Sequence, residues 1–158
     1  MSNQIGKRET GLSLRIPDSK VTRASVYKSA GEARFAEAEV LKNTHPTGAI
    51  YLAGYLIECY LKWALCEHAG VQYLQDLGDK RLVGRLTSGK GHNLEQLCDA
   101  SHYSKHMISD DVRKAFRVAA QWSPNIRYTV KCGGVPDAVK FFAAVRILKK
   151  SIRSWANS

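Results

Sequence analysis

The hydrophobic pattern of the chain is dominated by one apolar stretch, residues 46–69. From residue 49 to residue 66 the only residues that are not hydrophobic are Gly54, Glu58 and Lys62. Their i, i+4, i+8 spacing places them in one stripe along an α-helix, which we call the polar seam. A helix that is apolar on every other face belongs in the middle of a bundle. Because Glu58 and Lys62 would lie deep in a bilayer, the stretch predicts a buried central helix rather than a membrane span.

A first helix is predicted upstream of the apolar stretch, over about residues 20–43. Asp18 or Ser19 offers its N-cap, and the chain breaks after it because the residue before a proline avoids the helical region. Residues 1–17 are polar and show no sustained period, so we expect a flexible N-terminal arm. The rest of the chain, residues 18–158, is expected to form one helical domain.

Side chains that can cap helices mark the starts of later elements. Thr47 can cap the central helix, and Ser109 can cap a helix downstream. Asn93, with Gln96 three residues further on, begins another helix with a capping-box pair. A last helix is predicted over residues 135–155, with inward positions Phe141, Phe142, Val145, Leu148, Ile152 and Trp155. No segment has a convincing strand pattern, so we predict an all-α fold, an up-and-down bundle of four to five helices.

Residues 71–91 interrupt the helical pattern with a run rich in glycine, aspartate, lysine and arginine. No usable period is evident over residues 79–91. A long loop inside a small helical domain is uncommon unless it is functional or mobile. We therefore predict a long basic loop here, either a contact surface or a flexible connection.

The formal net charge of +10 is unevenly distributed along the chain. Residues 1–111 carry nearly equal numbers of acidic and basic side chains, whereas in residues 112–158 the only acid is Asp137. Such asymmetry favours an anionic partner, such as nucleic acid, an acidic protein or a phosphorylated ligand. The alternative is a solvated basic face without a special role. The candidate nucleic-acid contacts in this region are Arg113, Arg117 and Lys131.

Composition adds the expected environment of the protein. A hydrophobic fraction of 44% and a charged fraction of 24% are those of an ordinary soluble domain. The N-terminus lacks an apolar signal region, so a cytoplasmic location is expected. The four cysteines have no paired or zinc-like spacing, which is typical of reduced thiols. Since His68, His102 and His106 also lack metal-ligand spacing, we predict no metal and no cofactor.

Three pieces of the sequence occur in an order and spacing that resemble one family. The first is YLAGYLIECYLK at residues 51–62, the second is GHNLEQL at residues 91–97, and the third is WSPNIRY at residues 122–128. Together they resemble the HEPN domain, the "higher eukaryotes and prokaryotes nucleotide-binding" group. The resemblance covers about residues 20–155.

The resemblance implies a bundle of four or five helices that often forms a homodimer. It implies a nucleotide-binding, RNA-binding or interaction module, such as the toxin-side partner of a nucleotidyltransferase in a toxin–antitoxin or defence module. Many members of the family are metal-independent ribonucleases. Their active site is an arginine followed, after four to six residues, by a histidine near the start of a late helix, facing the dimer mate across a basic cleft.

In this chain the arginine–histidine spacing of the family is met by Arg85 and His92, and no histidine follows His106. The catalytic candidates are therefore His92 with Arg85 or with Arg127. Two functions stay open at this point, a binding or interaction module and a metal-independent ribonuclease.

The remaining site candidates each have two interpretations. Glu58 and Lys62 either form a structural pair that holds Arg127 or the connecting loops, or line a ligand cleft. Trp122 and Tyr128 either pin the connection after a helix or stack on a base. Arg127, between them, would grip a phosphate or pair with Glu58.

Overall fold

The computed structural model describes residues 14–16 and 22–158. Its α-helices in this part of the chain are α1 (Ala24–Leu41), α2 (Pro46–Ala69), α3 (Lys80–Thr87), α4 (Leu94–Ala100), α5 (Asp110–Ala119) and α6 (Val135–Ala156). Short 3-10 turns lie at Leu74–Asp76, Gly89–His92, Tyr103–His106 and Pro124–Tyr128. The described residues form no strand, so the all-α prediction is confirmed. Most of the predicted arm, residues 1–17, and the proposed caps Asp18 and Ser19 lie outside the described residues.

The central position predicted for the apolar stretch is confirmed. Helix α2 packs on α1 along one side and on α6 along another, and its C-terminal end is closed by Gly70 in the left-handed conformation, with φ of 68°. By length and composition α2 could cross a membrane, but 72% of its most apolar window is buried inside the protein. The neighbouring helices therefore cover most of the apolar surface of α2.

Helices α1 and α6 enclose α2 from two sides through aromatic and aliphatic packing. The rings of Phe35 in α1 and Phe142 in α6 lie 5.2 Å apart. On the surface, Lys149 binds the Glu32 carboxylate at 2.7 Å and joins the same two helices. The inward positions predicted for α6 are all buried, namely Phe141, Phe142, Val145, Leu148, Ile152 and Trp155.

Two predicted helix starts are wrong. Helix α1 begins at Ala24 because Arg23 has an extended backbone, with φ of −64° and ψ of 148°, and forms a bridge to Tyr73. Helix α2 has His45 at its N-cap position, without a capping hydrogen bond from the side chain. The hydroxyl of Thr47 instead accepts a hydrogen bond from the backbone N–H of Cys132 at 3.0 Å.

The predicted basic loop is also wrong over much of its length, because it contains α3. The Asp79 carboxylate caps this helix by accepting hydrogen bonds from the N–H groups of Arg81 and Leu82 at 2.9 and 3.1 Å. Leu86 is buried against the core, and Leu82 is half-buried. This helix raises the count in the described residues to six, above the predicted four to five.

The other predicted caps are confirmed. The Asn93 side chain accepts a hydrogen bond from the N–H of Gln96 at 2.9 Å and begins α4. The Ser109 hydroxyl accepts one from the N–H of Val112 at 3.2 Å and begins α5. The Asn93 cap matters most for function, because it fixes the backbone immediately after His92.

Gly54, the first residue of the polar seam, is a packing position. Its backbone lies against the indole of Trp122, so a Cβ built at Gly54 would stand 2.2 Å from the indole nitrogen. That nitrogen donates a hydrogen bond to the backbone carbonyl of Tyr51 at 3.0 Å. The absence of a side chain at Gly54 thus lets the segment after α5 dock on α2.

Replacing Gly54 by alanine is expected to destabilise the protein, because the indole must leave its position or α2 must bend. We expect a loss of about 1–3 kcal/mol in the free energy of unfolding, the usual cost of overpacking. Gly48 is the matched control in the same helix, since its Cβ would meet only Leu41 at 3.9 Å. Urea unfolding should show Gly48→Ala at least as stable as the parent. Equal stability of Gly54→Ala and Gly48→Ala would contradict the packing assignment.

Candidate functional site

The centre of the site is a carboxylate buried inside the bundle. Glu58 and Lys62 are only 4% and 6% exposed. The Lys62 ammonium donates to Oε1 of Glu58 at 2.8 Å, and Oε2 of the same carboxylate lies 2.8 Å from Nδ1 of His92. A carboxylate can only accept, so the Nδ1–H of His92 is the donor. Each oxygen of Glu58 therefore has a partner, one on its own helix and one 34 residues away in the chain.

The local sequence explains how His92 reaches this carboxylate. His92 ends the 3-10 turn Gly89–His92 and directly precedes the cap of α4. Gly91 comes so close to the end of α3 that a Cβ there would stand 2.4 Å from the carbonyl oxygen of Leu86. Only a glycine can make this approach, and it turns the next side chain towards α2.

The imidazole of His92 lies in the wall of an open cleft, which we call the His92 cleft. The cleft has a volume of about 510 Å³. It is lined by His92, Asn93, Gln96, Trp122, Ser123, Pro124, Asn125 and Arg127. The His92 side chain is 40% exposed, and among the described residues its Nε2 has no hydrogen-bond partner. One ring nitrogen is thus fixed by a buried carboxylate, and the other is available to a ligand.

Arg127 lies on the other side of the cleft, in the 3-10 turn Pro124–Tyr128. Its guanidinium carbon is 4.8 Å from the centre of the Tyr128 ring. The neighbouring phenol groups of Tyr128 and Tyr51 raise the pKa of Arg127, so the guanidinium keeps its charge. The predicted pairing of Arg127 with Glu58 is wrong, because the turn holds Arg127 at the surface while both Glu58 oxygens are occupied inside.

An aromatic layer connects the two sides of the cleft. The hydroxyls of Tyr51 and Tyr55 are 3.0 Å apart, and the Tyr55 ring meets the Trp122 ring edge-on at 5.0 Å. The Tyr55 ring also stands 6.5 Å from the imidazole of His92. Burial, followed by the hydrogen bond from Tyr51, raises the pKa of Tyr55 well above its ordinary value. Tyr55 therefore stays a neutral phenol beside the charged groups.

Trp122 and Tyr128, for which the sequence allowed either a packing role or stacking on a base, lie in different surroundings. Trp122 is 4% exposed and pins the connection after α5 to α2, as a core aromatic does. Tyr128 is 77% exposed and lies against Arg127. Tyr128 is therefore the exposed ring of the two, and its stacking on a base stays a prediction.

Arg85 is not brought into the His92 cleft. It lies in the last turn of α3 and faces a small separate space with Leu86 and Gly91. The arginine that shares the cleft with His92 is Arg127, which follows the histidine in sequence.

The predicted nucleic-acid contacts occupy different environments. The Arg113 guanidinium donates to the carbonyls of Met107 and Ile108 at 3.0 and 2.7 Å and pairs with Asp110, which holds it at the start of α5. Arg117 and Lys131 are exposed. Within the described residues, the exposed cations after residue 112 that have no ion-pair partner are Lys114, Arg117, Arg127, Lys131, Lys140, Lys150 and Arg153.

The remaining histidines and the thiols have surroundings that differ from the cleft. His68 and His106 pack their rings on Trp155. Their ring centroids lie 5.2 and 5.6 Å from the centroid of the Trp155 ring. Three or more metal-binding side chains do not come together anywhere in the described residues. All four cysteines are free, and burial raises the pKa of Cys66 to about 11 and that of Cys98 to about 12.

Tyr51 and Tyr55 contact residues of the candidate site and were not singled out from the sequence. A signal for Tyr55 was present, because Tyr51, Tyr55 and Glu58 follow one another at i, i+4 and i+7 on a single helical face. The apolar character of the helix made both tyrosines look like ordinary core residues.

Comparisons of the chain with known proteins identified no relative. No protein-family model matches the chain, and neither a curated protein nor a solved structure matches it.

Removing one charge of the buried pair is expected to cost more than removing both. Lys62→Met leaves the Glu58 carboxylate buried with His92 as its remaining partner, so we expect a loss of about 3 kcal/mol in the free energy of unfolding. The double variant Glu58→Leu/Lys62→Met should recover much of this loss. Lys114→Met, at an exposed position on α5, is the control and should change stability by less than about 0.5 kcal/mol. Equal effects of Lys62→Met and Lys114→Met in urea unfolding would rule out this electrostatic role.

Proposed function

We propose that this chain is a HEPN-like helical-bundle protein that binds nucleotide or RNA phosphate in the His92 cleft. The observation that carries the proposal is the contact between Glu58 and His92, which holds an imidazole in the same cleft as the exposed Arg127. The proposal is also supported by the three sequence pieces that resemble the HEPN domain, because each contributes a residue to the His92 cleft or to its buried partner Glu58. Glu58 comes from the first piece, His92 from the second, and Trp122 and Arg127 from the third.

The cleft has the groups that an RNA phosphate requires. A guanidinium offers two parallel donors to phosphate oxygens, which makes Arg127 the main anchor. Tyr128 beside it offers an exposed face on which an unpaired base can stack, the usual way in which proteins hold single-stranded RNA. Lys131, which lines the space on the other side of Arg127, and the exposed Arg117 on α5 add further positive charges, so binding should depend strongly on salt.

A second candidate function is metal-independent RNA cleavage, and the orientation of His92 favours it. With Nδ1 donating to Glu58, Nε2 can accept the proton of a 2′-hydroxyl. The 2′-oxygen then attacks the adjacent phosphorus, and the bond to the 5′-oxygen breaks, leaving a 2′,3′-cyclic phosphate. The 5′-oxygen takes a proton from solvent, and His92 returns its proton to solvent. Arg127 would stabilise the charge that develops on the phosphate oxygens.

The partners implied by the resemblance stay predictions. They are a second copy of the chain in a homodimer and a nucleotidyltransferase-type protein for which this chain would be the toxin-side partner. The unpaired cations after residue 112 would suit an acidic surface on such a protein.

RNA binding can be measured by fluorescence anisotropy with a labelled single-stranded oligonucleotide. With about three phosphate contacts on a single strand, affinity should fall by about 20-fold between about 50 mM and about 200 mM salt. Arg127→Ala should weaken binding by about tenfold, the value of one charged hydrogen bond. Lys105→Ala, in the turn Tyr103–His106, is the control and should bind as the parent does. Absence of RNA binding at low salt would refute the proposed function.

The cleavage candidate is separated from binding by a pair of histidine variants. His92→Asn should abolish cleavage of the same oligonucleotide while its affinity changes by only a few fold. His102→Asn is the matched control, because His102 is exposed and has a positive φ of 59° that asparagine tolerates. Binding without cleavage by the parent protein would remove the ribonuclease candidate and retain the binding function.

A further inference from the structure

A second cavity, which we call the α2 cavity, lies at the start of α2 next to the His92 cleft. Its volume is about 580 Å³. It is lined by Thr44, His45, Pro46, Thr47, Gly48, Tyr51, Ile126, Arg127, Thr129, Val130, Lys131 and Gly133. Arg127 is common to this cavity and to the His92 cleft. The two spaces therefore meet at one residue, Arg127.

The charges around the α2 cavity select an anion. Arg127 and Lys131 are both exposed cations without an ion-pair partner among the described residues, and no aspartate or glutamate lines the cavity. His45 also lies at the wall, with its Nδ1 3.0 Å from the Thr44 hydroxyl. Two fixed positive charges match the charge of a phosphate monoester, which is about −1.5 to −2 at neutral pH.

The apolar walls of the α2 cavity favour a ligand that carries an apolar group in addition to the anion. Pro46, Tyr51, Ile126 and Val130 supply apolar and aromatic surface, and the volume falls in the range of about 300–1,000 Å³ that small-molecule sites occupy. Hydroxyl groups of Thr44 and Thr129 provide polar contacts between these walls. A planar ring attached to a phosphate fits this division between apolar walls and a cationic edge.

A hydrogen bond at Thr47, one of the lining residues of the cavity, joins distant parts of the chain. The Thr47 hydroxyl accepts a hydrogen bond from the backbone N–H of Cys132 at 3.0 Å, across 85 residues. This bond ties residues 126–133 to the first turn of α2. The wall that carries Arg127 and Lys131 is therefore held against the wall that carries Tyr51.

We propose that the α2 cavity binds a mononucleotide-sized phosphate ester, with its ring between Tyr51 and Ile126 and its phosphate on Lys131 and Arg127. Because the His92 cleft uses the same Arg127, a ligand in the α2 cavity competes with RNA for that guanidinium. The competition rests on the proposed function of the cleft, whereas binding in the α2 cavity does not. The small ligand thereby regulates RNA binding by taking Arg127, while the rest of the His92 cleft stays open.

Isothermal titration with AMP, adenosine and inorganic phosphate tests the site itself. AMP is expected to bind, and adenosine and phosphate are each expected to bind at least about tenfold more weakly, because each lacks half of the contacts. Lys131→Glu should weaken AMP binding by more than about tenfold, whereas Lys114→Glu, the same charge change on α5, should leave it unaltered. Equal affinities of the two variants for AMP, or equal affinities of the parent for phosphate and AMP, would overturn the inference.

Competition with labelled RNA tests the coupling. AMP should displace RNA from the parent protein, and Arg127→Ala should weaken the binding of both ligands. AMP binding by a protein that does not bind RNA would support the α2 cavity and overturn the proposed function of the cleft. RNA binding that saturating AMP leaves unchanged would support the cleft and overturn the shared use of Arg127.

Discussion

The arrangement of this molecule depends on a carboxylate that is removed from water in the middle of the bundle. A buried charge without partners is strongly unfavourable, so Glu58 must be compensated from within the protein. Lys62 supplies a charge from the same helix, and His92 supplies a hydrogen bond from the turn before α4. The second contact fixes the imidazole at the wall of the cleft. The need to compensate a buried charge therefore also determines the position of the candidate functional group.

The polar seam has a different task at each of its three residues. Gly54 admits the Trp122 indole and thereby docks the segment that carries Arg127. Glu58 holds His92, and Lys62 balances the charge of Glu58. The single stripe on α2 therefore brings together two segments that are distant in sequence, and the His92 cleft forms between them.

The parts of the fold that could be predicted are those with long, repeated hydrophobic periods. Helices α2 and α6 were predicted near their observed bounds for this reason, whereas α3, with eight residues and few inward leucines, offered too short a pattern. The contact of Glu58 with His92 could not be derived from sequence, because 34 residues separate two polar groups that each have closer potential partners. The orientation of the turn Pro124–Tyr128, which exposes Arg127 instead of directing it inward, likewise depends on tertiary packing.

Glu58 fixes the hydrogen-bonding state of His92, and nitrogen NMR of the imidazole measures that state. In the neutral ring, the ¹⁵N shifts and couplings distinguish the nitrogen that carries the proton from the one that does not. We expect a proton on Nδ1 that exchanges slowly with water, and an unprotonated Nε2 whose shift changes when RNA is added. A neutral His92 with its proton on Nε2, or one that exchanges between the two tautomers, would show that Glu58 does not fix the ring.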